Sequence, residues 1–175
     1  MKEINNMVKL VKVNRKDEEI GLEDKLKCHL GRGILHRAFT IFVFNSKNQL
    51  LIQKRSKEKL LWPLVWEASC SSHPVKGESH IAAGKKRLKK ELGFDCGLKF
   101  LDKFEYRVKY KNIGSEYEIC ALLTGRYNGK VKPNKKEVVD WKWIDLKKLK
   151  KDIAKKSAEY APWLKIALKE YENRK

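Results

Sequence analysis

Two β-forming segments separated by a short polar break dominate the first third of this 175-residue chain. The first, residues 36–44, is rich in β-branched and aromatic residues, and the second, residues 49–55, resumes after Asn-Ser-Lys-Asn. Two such segments joined by turn-forming residues are typical of a β-hairpin. We therefore predict antiparallel strands over these two ranges.

The central helix is the second strong signal. Apolar residues recur at helical spacing over 78–92, and Gly93 follows where a helix C-cap belongs. Weaker patterns predict strands at 8–13, 98–110, 117–124 and 138–144, helices at 22–28, 145–156 and 162–171, and a loop at 62–74. We predict an α+β fold, a mixed β-sheet flanked by helices, in one domain over 1–175 with its core at about 8–170.

Charge and cysteine usage limit the classes of protein that this chain can represent. The 41 Lys and Arg exceed the 22 Asp and Glu, a formal charge of +19. The densest lysine run, 147–156, has apolar residues on one helical face, so we interpret it as a solvated helix rather than a nucleic-acid interface. The excess charge is either compositional or attracts an anionic substrate.

Four well-separated cysteines without a C-x-x-C pair favour neither a zinc ribbon nor a disulfide scaffold. No window reaches the roughly 18 apolar residues of a membrane span, and the first residues carry no apolar signal segment. We expect a cytoplasmic protein that binds neither membranes nor nucleic acid.

The histidines and one carboxylate pair offer a candidate metal site. His29, His36 and His73 are three of only four histidines, and Glu116 and Glu118 fall on one face of a predicted strand. Three imidazoles and two carboxylates would form a closed site for a divalent cation. Taken singly, each histidine is more typical of a surface or a satisfied core position than of a metal ligand, and Glu-x-Glu on a strand is more typical of a solvated face.

The central helix carries a second candidate motif. Arg87 and Glu91 are four residues apart and therefore neighbours on one face. The pattern from Glu78 to Gly93 resembles a degenerate Nudix box, in which Arg87 and Lys90 stand at two positions usually held by glutamate. This departure suggests a Nudix fold without Nudix hydrolysis.

A longer series of motifs extends the resemblance to nearly the whole chain. In order, the motifs are LHRAF at 35–39, LLIQKR at 50–55, WP at 62–63, SSHP at 71–74, ELG at 91–93, YR at 106–107, EYE at 116–118 and APWL at 161–164. Together they resemble the type I isopentenyl-diphosphate delta-isomerases. That family interconverts 3-methylbut-3-enyl and 3-methylbut-2-enyl diphosphate by adding a proton to an alkene and removing another.

The resemblance implies a role for each matching residue. One divalent metal, Zn²⁺, Mn²⁺ or Mg²⁺, would be bound by His29, His36, His73, Glu116 and Glu118. Glu91 would help to hold Mg²⁺ on the substrate diphosphate, which would be gripped by Lys25, Arg55, Lys59 and Arg87. Proton transfer would involve Glu118 with Tyr106 beside it, while Trp163 would face the cationic intermediate. The implied partner is a small isoprenoid diphosphate, and we expect a monomer.

One position departs from the family pattern. The family's catalytic Cys stands two residues before the His-Pro pair, where this chain has Ser71. Cys70 comes one position too early, and in an extended segment its side chain points the other way. An alcohol is a poorer acid and base than a thiol of pKa about 8.5. We predict an isomerase slowed by Ser71; the alternatives are an engineered Cys-to-Ser change, an isoprenoid-diphosphate binder with little catalysis and a Nudix diphosphohydrolase.

Overall fold

The computed structural model describes residues 8–174, so the ends of the predicted domain, 1–7 and 175, lie outside the described residues. Within that range, the strands are β1 Lys9–Val13, β2 Glu19–Asp24, β3 His36–Phe44, β4 Leu50–Arg55, β5 Trp66–Glu67, β6 Cys70–Ser72, β7 Leu98–Tyr110, β8 Gly114–Arg126 and β9 Val138–Ile144. The helices are α1 Lys25–His29, α2 His80–Leu92, α3 Leu146–Lys155 and α4 Pro162–Asn173, with a 3₁₀ turn at Ser157–Glu159. No helix among these residues is long and apolar enough to cross a membrane.

Strands β3 and β8 form the centre of a mixed sheet. They run parallel from the pair His36 and Glu118 to the pair Phe44 and Arg126. β7 lies antiparallel to β8, and both β1 and β6 lie antiparallel to β3. The predicted mixed sheet flanked by helices is therefore confirmed.

The predicted hairpin exists only at its turn. Phe44 and Leu50 are the pair that joins β3 to β4, after which β3 pairs with β6 and β8 while β4 pairs with β5 and β9. The strands separate because both are buried almost throughout, and each obtains longer partners from distant parts of the chain.

Two local predictions are corrected by long-range pairing. The helix predicted over 22–28 is wrong in its first half, because residues 19–24 form β2 and pair with β1; α1 begins at Lys25. The loop predicted over 62–74 contains the short strands β5 and β6, which pair with β4 and β3. In both segments, hydrogen bonds to a distant strand override the local pattern.

The ends of α2 agree with the sequence prediction. The Ser79 hydroxyl accepts a hydrogen bond from the backbone N–H of Ala82, and Gly93 ends the helix in the left-handed region at φ 75°. A Cβ atom at position 93 would lie 2.6 Å from the carbonyl oxygen of Lys132, so this close approach also requires glycine.

Side-chain alternation along β3 divides the core into two layers. Phe42 packs with Leu122 and with Leu164 of α4 on one face. Ile41 packs with Leu88 of α2 on the opposite face. At one end of the α4 layer, polar residues replace the apolar ones on both central strands, and the candidate site lies there.

Candidate active site

A cleft of about 420 Å³ opens at the polar end of the α4 layer. It is lined by residues from α1, α2, α4, β4, β6, β7 and β8 and from the segments after β4 and β6. The predicted site residues on its surface are Lys25, His29, Arg55, Lys59, Ser71, His73, Arg87, Tyr106, Glu116, Glu118 and Trp163. The structure thus brings most of the predicted site residues into one cavity, while His36 and Glu91 are buried outside its lining.

The three predicted histidines face one another. Their ring centroids lie 4.8 Å apart for His29 and His36, 5.0 Å for His29 and His73, and 4.9 Å for His36 and His73. With Glu116 and Glu118 they offer five potential ligand atoms, all within 4.8 Å of one another. Such a mixture of imidazole and carboxylate groups suits a divalent cation.

Backbone carbonyls fix two of the imidazoles in the tautomer that metal binding requires. Nδ1 of His29 lies 2.6 Å from the carbonyl oxygen of Lys25, and Nδ1 of His36 lies 2.7 Å from that of Ile34. A carbonyl can only accept, so Nδ1 carries the proton, and in the neutral imidazole Nε2 keeps its lone pair. In the neutral form, both imidazoles therefore direct the Nε2 lone pair into the cluster.

Unsatisfied atoms in the cluster also fit a cation. Among the described residues, His36 Nε2 and Glu116 Oε2 are buried without a hydrogen-bond partner. Glu116 Oε2 lies 3.1 Å from His29 Nε2, and His36 Nε2 lies 3.5 Å from Glu118 Oε1, in both cases without hydrogen-bond geometry. Buried polar atoms are normally paired, so a bound ion would complete this site.

The protonation states of two cluster residues favour metal binding, whereas for His29 burial is more than offset by the neighbouring Glu116, which raises its pKa. Burial and the neighbouring His36, His29 and Lys25 lower the pKa of His73 well below its ordinary value, so its imidazole is neutral. Burial acts against the charged form of Glu118, but His36 and the Tyr106 hydroxyl more than offset it and lower its pKa. A neutral imidazole and an ionised carboxylate are the forms that ligate metals.

Glu118 also belongs to a second pair. The Tyr106 hydroxyl donates to Glu118 Oε2 at 2.6 Å, while His73 Nε2 lies 3.1 Å from Glu118 Oε1. Burial and the adjacent Glu118 raise the pKa of Tyr106 well above its ordinary value, so the phenol keeps its proton. One oxygen of Glu118 therefore faces the cluster and the other faces Tyr106.

The structure places Ser71, and not the neighbouring Cys70, on the wall of the cleft. Ser71 pairs with Thr40 on β3, lines the cleft, and its hydroxyl lies 3.1 Å from the Thr40 hydroxyl. Cys70 pairs with Ile41 and is fully buried in the α2 layer. The predicted direction of the Cys70 side chain, away from the cleft, is confirmed.

Three cations gather at another part of the cleft. Lys59 pairs with Glu137, and Arg87 pairs with Glu91 and lies 3.7 Å from Glu137. Lys25 extends into the same region, where desolvation together with Lys59 and Arg87 lowers its pKa. Several cations in one partly enclosed space attract a multiply charged anion.

Arg55 differs from these three cations because protein groups hold it on several sides. Its guanidinium donates to the carbonyl oxygens of Trp62 and Leu61, both at 2.9 Å, and to Glu67 Oε1 at 3.2 Å. Its Cζ atom also lies 5.1 Å from the centroid of the Trp163 ring. Arg55 therefore has fewer donors to offer an anion than Arg87.

Glu91 lies outside the histidine cluster. Gln53 donates its side-chain N–H to Glu91 Oε2 at 2.7 Å, and Arg87 pairs with the other oxygen. The carboxylate is 3% exposed. The Glu91 carboxylate is therefore separate from the histidine cluster and lies beside the cation group formed by Lys25, Lys59 and Arg87.

Comparison with known proteins places this geometry in a family. The NUDIX domain model matches residues 34–164. An isopentenyl-diphosphate Delta-isomerase of Haloarcula marismortui is 34% identical over 176 residues, covering 97% of this chain and 94% of that protein. An isopentenyl-diphosphate Delta-isomerase 2 of Photorhabdus laumondii is 41% identical over 156 residues, covering 89% and 88%. The chain belongs to the isopentenyl-diphosphate delta-isomerase family.

The fold of this family member is also found in solved structures. The crystal structure of DR0079 from Deinococcus radiodurans superposes with a TM-score of 0.76, covering 94% of this chain and 99% of that one. The sequences are 19% identical, so the likeness concerns the fold.

Several polar residues around the isomerase-family site were missed by the sequence analysis. Glu67, Glu137 and Thr40 contact predicted site residues yet stand in no motif, and Gln53, which lies in the LLIQKR motif, was given no role. Gln53, Glu67 and Thr40 are polar residues within buried strands, a signal that could have singled them out. Glu137 lies just before β9 and gives no such signal.

Proposed function

We propose that this protein interconverts isopentenyl diphosphate and dimethylallyl diphosphate by protonating and deprotonating the alkene. The observation that carries the proposal is one cleft holding an ionised carboxylate, Glu118, a hydroxyl group, Ser71, and a separate group of cations. Proton transfer needs an acid and a base near the substrate carbon atoms. The diphosphate needs cations at a distance from them.

The histidine cluster is the proposed site of one divalent metal, Zn²⁺, Mn²⁺ or Mg²⁺. His29, His36, His73, Glu116 and Glu118 would hold it through the imidazole Nε2 and carboxylate atoms described above. When bound, such a cation would withdraw charge from the Glu118 carboxylate and change its affinity for a proton.

Diphosphate binding is assigned to the cation group. Lys25, Lys59 and Arg87 would contact the phosphate oxygens, with Arg55 as a more constrained contributor. Glu91, a hard oxygen donor beside Arg87, would help to hold a Mg²⁺ that accompanies the diphosphate. The negative charges of the substrate diphosphate and of Glu118 would thereby contact different groups of residues.

The apolar part of the cleft would bind the five-carbon chain. Trp163 would place its electron-rich ring near the carbon that becomes positive when the alkene is protonated. Tyr106 holds one oxygen of Glu118, and this contact orients the carboxylate for proton transfer. Ser71 would handle the other proton, with lower efficiency than a thiol.

The decisive experiment follows the substrate carbons directly. Metal-loaded protein is incubated with 3-methylbut-3-enyl diphosphate in D₂O, and deuterium incorporation and product are followed by NMR. We expect deuterated dimethylallyl diphosphate. Release of phosphate instead would identify a diphosphohydrolase, and bound but unchanged substrate would identify a binding protein.

A matched variant ties this activity to the site. Glu118→Gln keeps the size of the side chain but removes its ionisable carboxyl group, so deuterium exchange should cease. Full exchange in that variant would reject the mechanism. We further propose that the protein acts in the cytoplasm as a monomer, on a small isoprenoid diphosphate and without nucleic acid.

A further inference from the structure

Glu67 is a buried carboxylate that the mechanism above does not use. It lies in β5, is 3% exposed, and belongs to no motif identified in the sequence. Oε1 accepts a hydrogen bond from Arg55 Nη1 at 3.2 Å, and Oε2 accepts one from Trp163 Nε1 at 3.2 Å. Both of its partners line the cleft. One hidden carboxylate therefore connects two cleft-lining side chains.

The hydrogen bond to Glu67 fixes the orientation of the Trp163 ring. An indole has a single N–H donor, and here it is directed to Glu67, which is not among the residues that line the cleft. Trp62 packs against the same ring edge to face, with centroids 5.4 Å apart and planes at 87°. A carboxylate that accepts from an indole N–H also adds electron density to the ring, which favours attraction of a cation.

The contact to Arg55 fixes the neighbouring segment of the cleft wall. Besides the hydrogen bond from its Nη1 to Glu67, the Arg55 guanidinium donates to the carbonyl oxygens of Leu61 and Trp62. Trp62 has φ 46° and Leu64 has φ 60°, a left-handed conformation that is costly for such residues. The ion pair between Glu67 and Arg55 therefore stabilises a strained turn, and the Trp62 side chain of this turn packs on Trp163.

We propose that Glu67 is a positioning residue that holds the Trp163 ring and the Arg55 guanidinium in place on the cleft wall. The inference rests on the proposed function, because the orientation of the ring matters only if a cationic intermediate forms beside it. Glu67 touches neither substrate nor reacting atoms in this assignment and acts through its two partners.

The test uses Glu67→Gln in the full-length, metal-loaded protein. The amide oxygen can still accept from Trp163, but its NH₂ group would face the Arg55 donor, so the arrangement of both partners is disturbed. We expect kcat for isomerisation to fall at least ~10-fold. The dissociation constant of inorganic pyrophosphate should stay within about threefold, because Arg55 keeps its charge. Glu170→Gln, on α4 beyond Trp163, is the matched control and should leave both values unchanged.

A double-mutant cycle separates positioning from general loss of stability. Trp163→Phe retains an aromatic ring but lacks the N–H group. If Glu67 acts through that group, the double variant should be about as slow as the slower single variant. Additive losses, or wild-type kcat in Glu67→Gln, would overturn the proposal.

An NMR measurement on the unaltered protein covers the case in which Glu67→Gln fails to fold. The indole N–H signal of Trp163, assigned by its loss in Trp163→Phe, should exchange slowly with solvent. Exchange at the rate of an exposed tryptophan would overturn the proposal. If the wild-type protein proves inactive, the proposed function fails, while the indole signal still reports on the contact with Glu67.

Discussion

At the scale of single residues, the alternation of side chains along β6 decides which of two adjacent residues lines the cleft. Ser71 faces the cleft and Thr40, whereas Cys70 is enclosed in the α2 layer. Burial, together with Glu91, raises the pKa of the Cys70 thiol well above its ordinary value. The thiol is therefore both protonated and out of reach of the cleft.

We predict that Ser71→Cys increases turnover. A thiol is a better proton donor and acceptor than an alcohol near neutral pH, and a positioned acid or base typically contributes ~10²–10⁴-fold. Steady-state isomerisation should rise by about 10-fold or more. Cys70→Ala is the control and should retain wild-type turnover. If Cys70→Ala were inactive and Ser71→Cys unchanged, Cys70 would be the working group.

The second residue prediction concerns anion binding. Arg87→Ala should raise the dissociation constant of inorganic pyrophosphate at least ~10-fold, equivalent to about 1.4 kcal/mol, because it removes a cation and leaves Glu91 without its ion pair. Titration calorimetry measures the constant. Lys86→Ala is the matched control, since this neighbour is exposed and pairs with Glu78. An unchanged constant for Arg87→Ala would place the anion site elsewhere.

Single residues also show where sequence reasoning ends. His29 could be predicted because only four histidines occur in this chain, and Glu118 because it stands in the EYE motif. Glu137 could not, because it lies in a loop where neither periodicity nor motif indicates which side chain it will meet. Glu67 could be singled out as a polar residue in a buried strand, but its partners could not be predicted.

At the scale of elements, sequence patterns predicted the features of helices and strands that neighbouring residues determine. The residues that cap α2 lie at the helix ends that they determine. Glu116 and Glu118 share one face of β8 because they are two positions apart. The strand β2 and the separation of β3 from β4 depend instead on partners far along the chain. No window of sequence contains that information.

The turn between β1 and β2 gives a prediction that depends on pH. Asp17 accepts hydrogen bonds from Arg37 at 2.7 Å and Lys103 at 2.9 Å, which tie this turn to β3 and β7. Burial acts against ionisation, but these two partners lower the pKa of Asp17 below its ordinary value of 3.8. The ionised carboxylate therefore stabilises the fold above that value, and the contribution is lost as the pH falls through the lower, folded-state pKa.

Asp17→Asn should reduce the free energy of unfolding by about 1–3 kcal/mol near neutral pH. Asparagine tolerates the φ of 62° at this position, so the backbone contributes little to the change. Urea unfolding should show the difference shrinking as the pH is lowered below about 4. A difference that did not vary with pH would mean that the charge of Asp17 is unimportant.

At the scale of the whole molecule, the cluster of three histidines and two glutamates joins separate parts of the fold. His29 ends α1, His36 begins β3, His73 follows β6, and Glu116 and Glu118 lie on β8. The layered α+β architecture could be predicted from the periodicity of its elements. The parallel pairing of β3 with β8, which places His36 beside Glu118, could not, because it joins residues more than eighty positions apart.

The last prediction follows from this convergence of distant elements. A divalent metal that binds only the folded arrangement should raise the melting temperature, because binding to the native state alone adds about 2.7 kcal/mol at a concentration of 100 times the dissociation constant. His73→Ala removes one ligand, so it should abolish stoichiometric metal and the accompanying rise in melting temperature. Elemental analysis and thermal unfolding with and without metal measure both effects. His80→Ala is the matched control, because this fourth histidine begins α2 outside the cluster. Unchanged metal content in His73→Ala would exclude His73 as a ligand, whereas equal loss in both variants would indicate that the fold, rather than the ligand set, had been disturbed.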